Sequence, residues 1–117
     1  MGNLSVLLIE DEEFSIFMME EMLSLIGCDV DSANTVQKAV DFSKKKSYDF
    51  YLVDLIMNDE SGLDALTKME ISDISKRVII ISANINSLNL DRARNKGVTK
   101  FLPKPVKIDD LKKMITR

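Results

Sequence analysis

The stretch Asp49-Phe50-Tyr51-Leu52-Val53-Asp54-Leu55-Ile56-Met57-Asn58-Asp59-Glu60-Ser61-Gly62 decides how the rest of the chain is read. An apolar run of strand-forming residues ends on one carboxylate, and a polar turn closes on glycine. Residues 49–55 therefore read as a strand buried on both faces, as in a parallel sheet covered by helices. A carboxylate at the carboxyl end of such a strand stands where open α/β sheets place their ligands, which makes Asp54 the candidate working residue. Asp is also a favoured turn residue, and from this window alone a capping role stays open.

Upstream, Leu4–Ile9 is a second nearly continuous apolar run, ending in Glu10-Asp11-Glu12-Glu13. Glu12 and Glu13 suit the positive end of a following helix, whereas Glu10 and Asp11 fall at the strand's carboxyl end, as Asp54 does. Residues 14–26 have helical spacing, with Met18, Met19, Met22, Leu23 and Ile26 on a core stripe and Gly27 as the stop. Phe14 and Phe17 lie off that stripe beside the acidic residues; they are candidate docking contacts for a partner, or simply half-buried. Residues 28–33 form a second strand, and Asn34 or Thr35 caps a helix over 36–45. The run Lys44-Lys45-Lys46 complements that helix's dipole as a solvated end.

Downstream, residues 63–70 make a short helix, 78–82 an apolar strand ending on Ser82, and 84–96 a poorly amphipathic helix stopped by Gly97. Residues 99–102 form a fifth strand running into Pro103-Lys104-Pro105, and 108–116 a last helix with Leu111, Met114 and Ile115 inward. Five apolar strands alternating with five helices predict an α/β fold, a doubly wound parallel sheet with helices on both faces. The carboxyl ends of the first, third, fourth and fifth strands then share one edge, carrying Glu10 with Asp11, Asp54, Ser82 and Lys104.

At 117 residues with 45% hydrophobic content the chain fits one domain, 1–117, and leaves no room for an output domain. The net charge of −3 argues against a nucleic-acid surface, which needs a basic excess. The absence of histidine excludes histidine triads and histidine metal sites. The lone Cys28, in a strand-like context, reads as a small buried hydrophobe. The opening residues lack a basic, apolar leader, so a cytoplasmic protein without membrane insertion is expected. Three converging carboxylates repel unless a hard cation neutralises them, which points to Mg²⁺. A lysine and a hydroxyl at the same edge would steady an incoming phosphoryl group, and an Asp carboxylate can itself be the nucleophile.

The acid pair Glu10-Asp11, Asp54 with Gly62 eight positions later, Ser82 followed by Ala83, Phe101, and Lys104 before Pro105 together resemble the receiver domain of two-component response regulators over essentially the whole chain. The resemblance implies a flavodoxin-like sheet of order 2-1-3-4-5 and a stand-alone response regulator. Asp54 would be the phosphoacceptor, taking a phosphoryl group from a histidine kinase or histidine phosphotransfer protein and signalling to a downstream protein or phosphorelay partner. The chain would take part in its own phosphorylation and dephosphorylation without being an enzyme. Asp11, Asp54 and the Ile56 carbonyl would bind Mg²⁺, with Glu10 acting through bound water. Lys104, placed by a cis bond to Pro105, would pair with the phosphoryl group; Ser82 and Phe101 would be the switch residues. The last two helices and the last strand would form the readout surface. Asn58 stands where the family usually has proline, and Glu10 replaces the commoner aspartate. Ile56 and Asn84 occupy the positions that tune acyl-phosphate hydrolysis, and apolar Ile56 is expected to hinder the attacking water. Two other readings compete with it: a receiver-like binding module without phosphotransfer, and a phosphatase of the haloacid dehalogenase type. The latter needs an Asp-x-Asp motif that Glu10-Asp11-Glu12 does not supply.

Overall fold

In the computed structural model, which describes residues 3–57, 61–83 and 87–115 (backbone only at 87–89), the apolar runs pair in parallel as one sheet. The strands are β1 (Leu4–Ile9), β2 (Cys28–Ala33), β3 (Phe50–Asp54), β4 (Val78–Ser82) and β5 (Lys100–Pro103), in the order β2-β1-β3-β4-β5. The helices are α1 (Glu13–Ile26), α2 (Val36–Lys45), α3 (Gly62–Lys68), α4 (Ile74–Arg77), α5 (Ser87–Asn95) and α6 (Ile108–Met114). Strand alternation sorts the apolar side chains into two layers. Val6, Leu8, Leu52 and Ile79 pack under α1 and α6 with Leu23 and Leu111. Leu7, Ile9, Val53 and Ile80 pack on the other face against α2, α3 and α5. Full burial of each such side chain stabilises the fold by about 1.5–3 kcal/mol. No helix among the described residues is long and apolar enough to cross a membrane.

Helix boundaries follow from local hydrogen bonding. Glu12 is the N-cap of α1, its carboxylate accepting from the N–H groups of Phe14 (3.2 Å) and Ser15 (2.7 Å), and these bonds hold its pKa below the ordinary value. Gly27 ends α1 at φ 96, a left-handed conformation that glycine adopts without a Cβ penalty. Thr35, rather than Asn34, caps α2 through a 3.1 Å bond from the Lys38 N–H. Lys44 and Lys45 are exposed at the end of α2, while Lys46 lies 3.4 Å from the Asp31 carboxylate and over the Tyr48 ring. Cys28 is buried, and burial pushes its thiol pKa up, as suits a packing residue.

Beyond shifts of one residue at strand and helix ends, the structure departs from the sequence reading at the following points. Among the described residues there are six helices rather than five: the single turn α4 is too short to show a hydrophobic period. Met18 is 41% exposed, so the core stripe of α1 runs through Met19 and Leu23 with Met22 and Ile26 half-buried. The third helix is Gly62–Lys68, started by the Ser61 hydroxyl accepting from the Leu63 N–H at 3.2 Å. The departure at Asn58, the position Asn84 with the expected helix start there, and the expected helix end at Thr116 lie outside the described residues.

Gly62 has a packing role. A Cβ on it would lie 2.0 Å from the Asp54 carbonyl oxygen and 2.7 Å from Val53 Cγ1, so α3 can start against the end of β3 only with glycine there. Gly27 has open space around its Cβ position. Gly62→Ala is therefore expected to lose about 3 kcal/mol or more of unfolding free energy, against about 1–2 kcal/mol for Gly27→Ala from left-handed strain alone. Urea titration checks this, and equal losses in the two variants would refute the steric account.

Candidate functional site

Parallel register brings the strand ends level. Ile9 pairs with Val53, which sets Glu10 beside Asp54, and Ser82 pairs with Pro103, which sets Lys104 just beyond β4. The Lys104 N–H donates to the Ser82 carbonyl at 2.9 Å, and the Lys104–Pro105 peptide bond is cis. From this anchor the Lys104 ammonium donates to Glu10 Oε1 and, at 3.1 Å, to Asp54 Oδ2. The second oxygen of each acid is held by backbone. Asp54 Oδ1 accepts from the Ile56 N–H at 3.1 Å, and Glu10 Oε2 accepts from the N–H groups of Asp11 (3.1 Å) and Glu12 (3.3 Å).

These acids are removed from water: Glu10 is 2% and Asp54 6% exposed. Burial raises the Glu10 pKa and the neighbouring Asp54 carboxyl adds to it, with Lys104 opposing. Burial works against the Lys104 ammonium, but its hydrogen bonds to Glu10 and Asp54 outweigh that and hold its pKa above the ordinary value. The ammonium is thus a fixed positive charge within the acidic group.

Glu10, Asp11 and Asp54 each offer a carboxylate oxygen, and these oxygens lie within 4.8 Å of one another. An all-oxygen donor set suits a hard cation such as Mg²⁺. The acids face a cleft of about 420 Å³, also lined by Glu12, Ile56, Met57, Ala83 and Lys104. Its size and charged lining could take a small, highly charged group.

Of the residues singled out in the sequence, Glu10, Asp11, Asp54, Ile56 and Lys104 come together in this cleft. Ser82 is buried at the end of β4, and its neighbour Ala83 lines the cleft instead. Phe101 sits lower on β5, opposite Ile80, half-buried with the Arg94 guanidinium 5.4 Å from its ring centre. Phe14 and Phe17 are 67% and 57% exposed on α1. Phe14 lines an adjoining apolar groove of about 380 Å³ with Met18, Met22, Pro105 and Val106. Met57 escaped the sequence reading because nothing in its local pattern marks it as cleft-facing. The same holds for Glu12, whose capping role accounts for it fully.

The fold is similar to those of known proteins. The receiver domain of the sensor histidine kinase PA1611 from Pseudomonas aeruginosa, which has a magnesium ion coordinated in its active-site cleft, superposes with a TM-score of 0.80 at 23% identity, covering 97% of this chain and 94% of that one. The receiver domain of Ssk1 from Saccharomyces cerevisiae, in complex with the histidine phosphotransfer protein Ypd1, matches with a TM-score of 0.82 at 21% identity, covering 98% of this chain and 88% of that one. In sequence, the aerobic respiration control sensor protein ArcB of Escherichia coli is 31% identical over 117 residues, 97% of this chain but 15% of ArcB. The chain spans less than a fifth of the length of the first curated relatives that it matches. The model of the response regulator receiver domain family matches residues 6–116, and with the parallel 2-1-3-4-5 sheet it shows that the chain belongs to the response regulator receiver domain family of two-component systems.

Proposed function

We propose that Asp54 accepts a phosphoryl group from a phosphohistidine on a partner protein, in a Mg²⁺-dependent reaction, and that the added charge switches the module's conformation. The observation that carries this reading is the buried Asp54 carboxylate, held between the Ile56 N–H and the Lys104 ammonium beside two further acids. A carboxylate oxygen of Asp54 attacks phosphorus, the P–N bond of the donor breaks, and its electron pair returns to the donor imidazole. Lys104 meets the charge on the transferring oxygens, a contact made without reorganising solvent. Asp11, Asp54 and the Ile56 carbonyl would hold Mg²⁺, with Glu10 acting through bound water. When bound, the ion neutralises these acids and the phosphoryl oxygens together.

The switch follows from where charge is added. An aspartyl phosphate brings oxygens that the Ser82 hydroxyl and Lys104 would follow, and Phe101 would change rotamer as β4 and β5 adjust. A bias of about 5.5 kcal/mol turns such an equilibrium almost completely. The surface of α5, β5 and α6 is the readout, presented to a protein target in keeping with the net charge of −3. The donor is a histidine kinase or histidine phosphotransfer protein docking over α1, where Phe14 and Phe17 supply exposed apolar contact. The pairing of the yeast receiver with Ypd1 supports that class of partner.

Incubation with Mg²⁺ and a small acyl-phosphate donor should add one phosphoryl group by intact mass, and none in Asp54→Ala or without the ion. An adduct that survives Asp54→Ala would overturn the assignment. The double variant Phe14→Ala/Phe17→Ala should take phosphoryl groups from a phosphorylated histidine protein at least about tenfold more slowly, a loss of ~1.4 kcal/mol, while its rate with the small donor stays unchanged. Equal rates with the protein donor would remove these residues from the docking surface. Ile56, 54% exposed in the cleft, shields the acyl phosphate from water. Ile56→Asn should therefore speed phosphate release by about tenfold; unchanged turnover would show that this side chain does not govern it.

A further inference from the structure

A second cleft, of about 480 Å³, opens between α3 and α5 and has no lining residue in common with the acidic one. Helices that lie side by side ordinarily meet through interdigitated apolar side chains. Here the facing positions are polar. Ser61, Asp64 and Thr67 come from α3 and its cap, and Arg92, Asn95 and Lys96 from the end of α5, at the three- and four-residue spacings that put side chains on one helix face. Of the described lining residues only Leu63 is apolar. The Lys96 ammonium donates to Thr67 Oγ1 at 2.8 Å, and that hydroxyl donates to the Leu63 carbonyl at 3.0 Å, which fixes the cation at the cleft wall. An ammonium has three donors, and this bond takes one. Asp91, the acid of α5, pairs with Arg94 at 3.3 Å and does not line the cleft, so Arg92 and Lys96 face a single carboxylate there, that of Asp64.

We propose that this cleft binds a small phosphate monoester rich in hydroxyl groups, the chemical class of the sugar phosphates. Two cations one helical turn apart, with the Asn95 amide beside them, can share the oxygens of one dianionic phosphate through charge-assisted hydrogen bonds. Asp64 repels a bare anion but accepts from hydroxyl groups, so with the Ser61 hydroxyl it suits the sugar end of such a molecule. None of the described lining residues is aromatic, which leaves a nucleotide base no ring to stack on. The volume lies within the range of small-molecule sites and exceeds what one ion fills. A ligand seated there touches both helices. It therefore ties α5, whose buried side chain among those described is Ala93, to α3. The site stands apart from Asp54, and its test is independent of the phosphoacceptor reading.

The experiment is a titration of the metal-free chain with ribose 5-phosphate and with glucose 6-phosphate, read by amide ¹H–¹⁵N shifts, with inorganic phosphate alongside. The expected result is a saturable shift confined to residues 61–67 and 92–96, with a Kd of ~1 mM or tighter for at least one ester and binding about tenfold weaker for inorganic phosphate. Arg92→Gln/Lys96→Gln should weaken the ester by about tenfold or more, and Asp64→Asn should weaken the ester but not inorganic phosphate. Asp64, Arg92 and Lys96 are exposed, so these exchanges leave the core intact, and the same spectra establish that each variant is folded. The proposal is overturned if neither ester gives a saturable shift in these segments by ~10 mM, or if the double variant binds as the parent does. Inorganic phosphate binding as tightly as the esters, or unchanged ester affinity in Asp64→Asn, overturns the sugar phosphate as the ligand class.

Discussion

The ammonium of Lys104, set between the buried carboxylates of Glu10 and Asp54, is the interaction on which the carboxyl edge of the sheet depends. Taking one carboxylate out of water costs several kcal/mol, and removing a partner leaves the full penalty in place. Here three acids lie within 4.8 Å, so their mutual repulsion adds to that cost. Lys104 cancels one charge, and the N–H groups of Asp11, Glu12 and Ile56 disperse the remainder. With all three acids ionised, two negative charges would remain, which one divalent cation would balance. The cleft is therefore balanced enough to fold around, and its remaining charge could be met by a hard cation.

That balance is available only because the backbone puts its parts in register. Glu10 leaves β1 beside Asp54 because β1 and β3 are aligned at Ile9 and Val53. Leu55, next to Asp54, is pinned from both sides. The Leu55 N–H donates to the Ile81 carbonyl at 3.2 Å, and the Leu55 carbonyl accepts from the Gly62 N–H at 3.0 Å. Gly62 presses so close to the Asp54 carbonyl that the position of α3 and the position of the acid are one constraint. Packing and chemistry share the same few atoms.

Most of the fold was legible in the sequence because each strand is buried on both faces, so apolar runs such as Val78-Ile79-Ile80-Ile81 stand out without any finer pattern. Helix ends were legible where a cap carries them, as at Gly27 and Thr35. The turn α4 was not, since four residues cannot display a helical period. Met18 was misplaced because a wide apolar stripe on paper does not say where the sheet's width stops. The acids of the site were legible as strand ends. The contact between Glu10 and Lys104 was not: the two are 94 positions apart, and their pairing depends on side-chain reach that spacing does not encode. Nor could sequence set Arg94 against Phe101, which depends on how α5 lies on β5.

Helix α1 ties contact to chemistry. Its inner face, with Met19 and Leu23 buried, is used up in holding the sheet. Its exposed side carries Phe14, Phe17 and Leu25 at 67%, 57% and 77% exposure among Glu13, Glu20 and Glu21, although polar residues in their place would leave the core untouched. The groove beside this face and the acidic cleft have Ala83 and Lys104 in common as lining residues. A body that fills the groove therefore touches the lysine that balances the acids, and it removes water from one wall of the cleft as it does so. Every charge interaction in the cleft strengthens when water is excluded. A partner docking on α1, as proposed, would thereby be coupled to the electrostatics at Asp54 through one side chain.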